Sequence, residues 1–129
     1  EGIGKVLEWE QPTLAENSIK ATWDLPNNLG IAYAKASGDF NPIHLHPLTA
    51  KLFGFQRHII HGMWSAGKIL ALLEKRAEQS FEFTVLFKLP IYLPASVIYR
   101  HEKTDTGFSF DVMDRKQEKP HIKGYLKNL

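Results

Sequence analysis

The sequence predicts an α+β domain in which a curled antiparallel sheet of about five strands lies on one long, buried central helix. Three observations lead there. Five segments alternate apolar and polar residues with the period of two expected of half-buried strands. The last four of these are separated by turns rather than helices, which leaves no crossover and makes the sheet antiparallel. One segment, His61 to about Ala77, is apolar on nearly every side and reads as a helix buried all round. A chain of 129 residues has room for one domain, and residues 1–129 are read as one.

In chain order, Ile19, Ala21, Trp23 and Leu25 alternate with Ser18, Lys20, Thr22 and Asp24, the pattern of a first strand. Pro26, Asn27 and Asn28 interrupt it, and an Asn is placed to cap a short helix carrying Leu29, Ala32, Tyr33 and Ala36 and ending near Gly38. The run from Asp39 to Pro47 holds two prolines, each lacking an N–H and biasing its predecessor to extended backbone, so a structured loop is expected. A second short helix covers Leu48 to Phe53 and closes at Gly54. The long helix follows, with Met63, Trp64, Ala66, Ile69, Leu70, Ala71, Leu72 and Leu73 as its apolar residues and Glu74, Lys75 and Arg76 at its solvent end. Strands are then expected over Phe81–Leu89, from Ala95 through Val97 and Tyr99, through Phe108, Phe110 and Val112 after a TDTG turn, and through Ile122, Gly124 and Leu126 after the charged turn DRKQEK.

Composition excludes several classes. Apolar residues at 43% and charged residues at 23% are those of a globular chain, and no apolar run approaches the ~18 residues of a membrane span, so neither disorder nor a membrane partner is expected. A net charge of +2, dispersed along the chain, does not point to nucleic acid. With no cysteine there is no disulfide, thiolate nucleophile or Cys-ligated metal, which fits a cytoplasmic protein. The opening EGIGKVLEWEQ has no basic segment followed by an apolar one, so no secretory leader is expected. Because the first residue is Glu1 and not Met, a processed chain or a piece of a longer one is expected.

The chemistry is expected where polar residues are densest: Ser37, Gly38, Asp39, Asn41, His44, His46, His58 and His61, in the loop and at the start of the long helix. Asn41-Pro42 breaks any helix between Asp39 and His44, so the loop can turn both side chains toward one point. An Asp and a His that meet suit addition or elimination of water beside a carbonyl, where one group deprotonates water and another protonates the α-carbon. The plainer reading is that Asp39 caps turn amides and His44 is a hydrogen-bonded loop residue. Ile60-His61-Gly62-Met63 opens the long helix, whose first amides have no internal acceptor and can hold a carbonyl oxygen gaining negative charge. Gly62 either allows that approach or only avoids a clash with the sheet.

The stretch from Tyr33 to His44, YAKASGDFNPIH, followed by Ala50 and by the segment from Gly54 to Met63 ending in IIHGM, resembles the signature of the MaoC-like dehydratases, the (R)-specific enoyl-CoA hydratases. FKLPIYLPASV from Phe87 to Val97 resembles the family's first long strand after the helix, and KPHIKG from Lys119 to Gly124 its closing strand. The resemblance runs over about residues 18 to 126. It implies a hotdog fold, a helix wrapped by an antiparallel sheet, and reversible hydration of trans-2-enoyl thioesters to (R)-3-hydroxyacyl thioesters. It implies Asp39 and His44 as the catalytic pair and Gly62 as the amide that holds the thioester oxygen. Asn41, with Ser37, Gly38 and Pro42, would shape the loop, and Ile60, His61, Met63 and Trp64 would line the substrate pocket. An acyl-CoA or acyl carrier protein thioester is the implied partner, in a homodimer or larger even oligomer, with no cofactor. Two departures bear on detail. Gln56-Arg57-His58 is more polar and cationic than the proline-bearing segment of many relatives, and Trp64 puts bulk where the acyl chain would enter. The segment after residue 90 is similar to the C-terminal half of the two-hotdog members, which again suggests a piece of a longer dehydratase.

The same residues bear on other chemistries. His44, His46, His58 and His61 have spacings that can ligate zinc, but with no carboxylate beyond Asp39, and no metal is expected. Gly62-Met63-Trp64-Ser65-Ala66-Gly67 is one residue too long for a serine-hydrolase elbow and follows no strand, so Ser65 reads as a small packing residue. A hotdog thioesterase would use Asp39 and leave His44 without a role, and a non-catalytic acyl-binding hotdog domain should have lost one of the two. Lys88, Arg57 and Arg100 are either solvated charges or contacts for carrier phosphates.

Overall fold

A computed structural model describes residues 18–129; the reading of the opening residues as free of a leader lies outside the described residues. Strand β1 (Ile19–Leu25) leads into helix α1 (Leu29–Ser37), a 3-10 turn (Pro42–His44), helix α2 (Pro47–Leu52) and helix α3 (Gly62–Leu73) with a further 3-10 turn (Glu74–Arg76). Four strands follow: β2 (Phe81–Phe87), β3 (Ala95–Lys103), β4 (Gly107–Met113) and β5 (Pro120–Asn128). They form one five-stranded sheet in the order β1-β3-β4-β5-β2, every neighbour antiparallel, as the turn spacing predicts. Register is set by burial: Trp23 opposite Val97 and Phe108 opposite Leu126 keep large side chains on the face toward α3. The core joins Trp23, Leu25, Val97, Tyr99, Phe110, Val112, Ile122 and Leu126 of the sheet to Ile69 and Leu73 of the helix, with Ile60, Ile91 and Leu93 closing one end.

The turns follow the sequence. In TDTG the amide of Thr104 donates to the Gly107 carbonyl at 2.8 Å, and the Gly107 amide to the Thr104 hydroxyl at 3.1 Å. In the charged turn the Asp114 carboxylate accepts from the amides of Glu118 and Lys119, which holds that carboxyl below the usual range.

Four expectations are corrected. The long helix is not buried on every side: Ser65, Ala66, Ile69 and Leu73 are buried, whereas Met63 is 70% and Leu72 42% exposed, because the sheet covers only one face. Its α-helical part ends at Leu73, and a tighter 3-10 turn carries the chain on to Arg76. Asn28 occupies the N-cap of α1 but makes no side-chain cap bond. Strand β2 stops at Phe87, since the amides of Lys88 and Leu89 both turn to the His121 carbonyl at 2.8 and 3.3 Å. Among the described residues no helix is long and apolar enough to cross a membrane.

Candidate active site

The loop between α1 and α2 is built from its own short polar side chains. Gly38 ends α1 in the left-handed conformation, φ 84°, a position that favours glycine. The Asp39 amide then donates to the Ser37 hydroxyl at 3.2 Å, the Asn41 amide to Asp39 Oδ1 at 3.1 Å, and the Ile43 amide to Asn41 Oδ1 at 3.2 Å. Pro42 starts the 3-10 turn at a position that needs no N–H, and its carbonyl accepts from the Thr49 hydroxyl of α2 at 2.8 Å. His46 caps α2, its Nδ1 accepting from the Leu48 amide at 3.0 Å. This folding brings Asp39, His44 and His61 together, with one ligand-type atom from each within 4.8 Å of the others.

Hydrogen bonds decide the two imidazoles. His44 Nδ1 lies 2.8 Å from the Ile59 carbonyl, which can only accept, so Nδ1 carries the hydrogen and the neutral ring keeps its lone pair on Nε2. His61 is buried, and its Nε2–H donates to the main-chain carbonyl of Asp39 at 2.9 Å. The two rings stack, centroids 3.8 Å apart and 22° from parallel, with Tyr33 edge-on to His61 at 4.7 Å. His61 therefore braces the loop and backs the His44 ring. Burial pushes the His44 pKa below its ordinary 6.5, and His61 adds to that shift, while the Ile59 carbonyl and Asp39 oppose it. Asp39 Oδ1 is engaged by the Asn41 amide, and Oδ2 sits 3.9 Å from His61 Nε2. Its side chain is 53% exposed, so the pair stands at the edge of the site.

Beside His44 opens a cavity of about 300 Å³, lined by Ile59, Ile60, Gly62, Ser65, Phe87, Lys88 and Ile91 among others. Gly62 is the first residue of α3, where the amide has no internal acceptor, and the side chain of N-cap His61 makes no cap bond. A Cβ at Gly62 would come to 3.2 Å from the Phe87 ring. A larger hollow of about 870 Å³, walled by Arg76, His101, Lys103 and Asn128, contains none of the residues of the Asp39 cluster.

The remaining expected residues fall differently. Ile60 lines the cavity, but Met63 and Trp64 do not. At about 100° per residue they lie off the helix face shared by Gly62 and Ser65. Met63 is exposed, and Trp64 packs edge-on to Trp23 at 6.0 Å with the Lys68 amine over both rings, so Trp64 does not narrow this cavity. His61 backs His44 and is not on the cavity wall. The four-histidine set is divided, since His46 caps α2 and His58 Nε2 donates to the Asn27 carbonyl at 2.8 Å. In the surviving Asp39, His44 and His61 group, His61 Nε2 faces the Asp39 carboxylate at 3.9 Å but already donates its hydrogen to the Asp39 carbonyl, so it offers no lone pair there, which suits a metal ion poorly.

Of the three cations, Lys88 is at the cavity, whereas Arg57 donates to the Leu93 carbonyl at 2.9 Å and to Asn27. Arg100 is neither solvated nor free for a phosphate: it is buried in a two-bond pair with Asp111 of β4. Two contributors are not singled out by the sequence reading. One is the Ile59 carbonyl that sets the His44 tautomer, and the other is Gly30 of α1, where a Cβ would lie 2.0 Å from the His44 carbonyl oxygen. A glycine inside a short helix was the one available signal for the second.

The family model described as MaoC like domain matches residues 6–124. Among relatives, 3-hydroxyacyl-thioester dehydratase X of Mycobacterium tuberculosis is 36% identical over 97 residues, covering 75% of this chain and 35% of that protein. The (R)-specific enoyl-CoA hydratase of Aeromonas caviae is 35% identical over 77 residues, 57% of this chain and 58% of that one. Among solved structures, HtdX of Mycobacterium tuberculosis superposes with a TM-score of 0.79 at 33% identity, over 84% of this chain and 47% of that chain. The (R)-hydratase of Aeromonas caviae gives 0.67 at 22% identity, over 93% and 99%. The chain thus spans about half the length of HtdX or less.

Proposed function

The chain belongs to the MaoC-like domain family and has its hotdog fold, and from that premise we propose that it catalyses reversible hydration of trans-2-enoyl thioesters to (R)-3-hydroxyacyl thioesters, the acyl group being carried on CoA or acyl carrier protein. The observation that carries this reading is the meeting of Asp39 and His44 beside a cavity whose wall includes the first amide of a helix. In the hydration direction the thioester oxygen lies on the Gly62 amide, which favours the negative charge that develops there as the β-carbon is attacked. His44, neutral and with its lone pair on Nε2, is the proton acceptor for a water shared with Asp39. Hydroxide bonds to the β-carbon, one proton passes to the α-carbon, and both side chains end as they began. No electrons leave the substrate, so the reaction requires no redox cofactor. The walls contributed by Ile60, Phe87, Leu89, Ile91 and Ile122 are apolar, as an acyl chain requires.

Mixing the protein with crotonyl-CoA and following the conjugated absorbance tests the reading: loss of absorbance without free thiol is expected. Thiol release would indicate a thioesterase, and binding without change an acyl-binding domain.

The pH profile is the second expectation. Protonating His44 removes the acceptor, and because burial lowers its pKa, the acid limb of kcat/KM should lie below 6.5, with activity held through neutrality. A limb centred above 6.5 would contradict a neutral, buried His44.

We also propose that the domain pairs with a second hotdog, in a homodimer or larger even assembly. Among the described residues strands β1 and β2 are the sheet edges, and Phe40, Leu48, Leu52, Phe53, Phe87 and Leu89 leave apolar surface open. Light scattering should give at least twice the mass of one chain, and a stable, active monomer would refute the pairing.

A further inference from the structure

The cavity wall carries one buried polar group that the reaction as described leaves unused. Ser65 is fully buried, lines the same cavity as Gly62 and His44, and its hydroxyl has no hydrogen-bond partner among the described residues. Leaving a buried hydroxyl unpaired is unfavourable, and native structures hold few such groups, so this one calls for a cause. The usual fallback of a helical serine is the carbonyl four residues back. Here that is the His61 carbonyl, which already accepts from the amides of Trp64 at 3.1 Å and Ser65 at 3.4 Å. Its two lone pairs are occupied.

Position makes the hydroxyl useful. Ser65 is three residues beyond Gly62, on the same face of α3, and Cα–Cβ bonds of a helix tilt toward its N-terminus. The side chain therefore leans toward the turn that presents the Gly62 amide, where the absence of a Cβ leaves room beside the Phe87 ring. A thioester oxygen has two lone pairs, and the Gly62 N–H can meet one of them. The other polar side chains on the described wall are His44, occupied with the water, and Lys88, exposed at the rim.

We propose that Ser65 Oγ is a second hydrogen-bond donor to the thioester oxygen of the substrate, acting with the Gly62 amide. The inference rests on the enoyl-thioester reading of the site. The hydroxyl donates as the oxygen gains charge on attack at the β-carbon, and keeps its own proton throughout.

The experiment compares Ser65→Ala and Ser65→Cys with the wild-type protein on crotonyl-CoA, together with thermal unfolding and calorimetric binding of butyryl-CoA, a saturated thioester that cannot be hydrated. Cysteine preserves the volume but is a weak donor. Both variants should lose about 10² to 10³-fold in kcat, as for removal of an oxyanion donor, with KM changed much less. Unfolding temperature should hold or rise, since the alanine removes an unpaired buried hydroxyl. Unchanged kinetics in Ser65→Ala would overturn the proposal. So would a loss of activity that follows a fall in unfolding temperature, because the hydroxyl would then be supporting the fold. Butyryl-CoA affinity should stay nearly constant in both variants, because the hydroxyl acts on the charge that develops during attack; a fall in affinity that matches the fall in kcat would make Ser65 a substrate-binding residue and overturn the proposal. If the wild-type protein fails to hydrate crotonyl-CoA, the hydratase reading falls and takes this proposal with it, whereas an active wild type with unchanged Ser65→Ala kinetics overturns the proposal alone.

Discussion

His44→Gln should abolish hydration, lowering kcat by about 10² to 10⁴-fold, and Asp39→Asn should do the same, because each removes one partner of the proton transfer. Glutamine offers no basic nitrogen in place of the Nε2 lone pair that the Ile59 hydrogen bond secures. Asparagine retains an oxygen that can still accept from the Asn41 amide at the Asp39 Oδ1 position, so the loop should hold while the charge and proton capacity go. Both variants should therefore unfold within a few degrees of the wild-type protein. The double variant should be scarcely worse than either single one, since one water cannot be half activated. Steady-state rates on crotonyl-CoA decide the matter, and near-normal turnover by either variant withdraws the pair.

Gly62→Pro should lower kcat by about 10² to 10³-fold while the helix survives. Gly62 is the first residue of α3, where proline's fixed φ is suited and its missing N–H breaks no internal bond. His61 before it is already extended at φ −65° and ψ 132°, the conformation a residue preceding proline favours. What disappears is the outward donor. Crowding is the competing cause, since any Cβ here comes within 3.2 Å of the Phe87 ring. Phe87 is half exposed at the end of β2, so its ring can yield. Gly62→Ala alone and with Phe87→Leu separates the two causes. Alanine, which keeps the N–H, should recover most of the activity once the ring is shortened. If alanine remains as impaired as proline in the Phe87→Leu background, then Gly62 supplies space and not a hydrogen bond.

Much of this site was legible because it is local. Asp39, Asn41 and His44 lie within six positions of one another, and the turn that gathers them is dictated by Gly38, Pro42 and side chains bonding amides two residues away. The start of α3 at Gly62 was readable from the apolar run that follows it. The Ile59 carbonyl, the Gly30 contact and the stacking of His61 on His44 were not, since each joins segments whose separation in sequence says nothing about their distance in space.

The same division runs through the fold. The period of two in each strand and the turn residues between them settle an antiparallel five-stranded sheet, because backbone geometry and burial of one face act over a few residues at a time. Strand order, with β2 beside β5 and β1 beside β3, was settled only by tertiary packing. So was the fate of Arg100, which meets Asp111 directly across the β3–β4 ladder and is buried with it. The exposure of Met63 and the turn of Trp64 toward Trp23 belong here as well. An apolar run announces that a helix will form and bury area, but which of its faces is covered depends on how many layers the chain can lay against it, and a single sheet covers one.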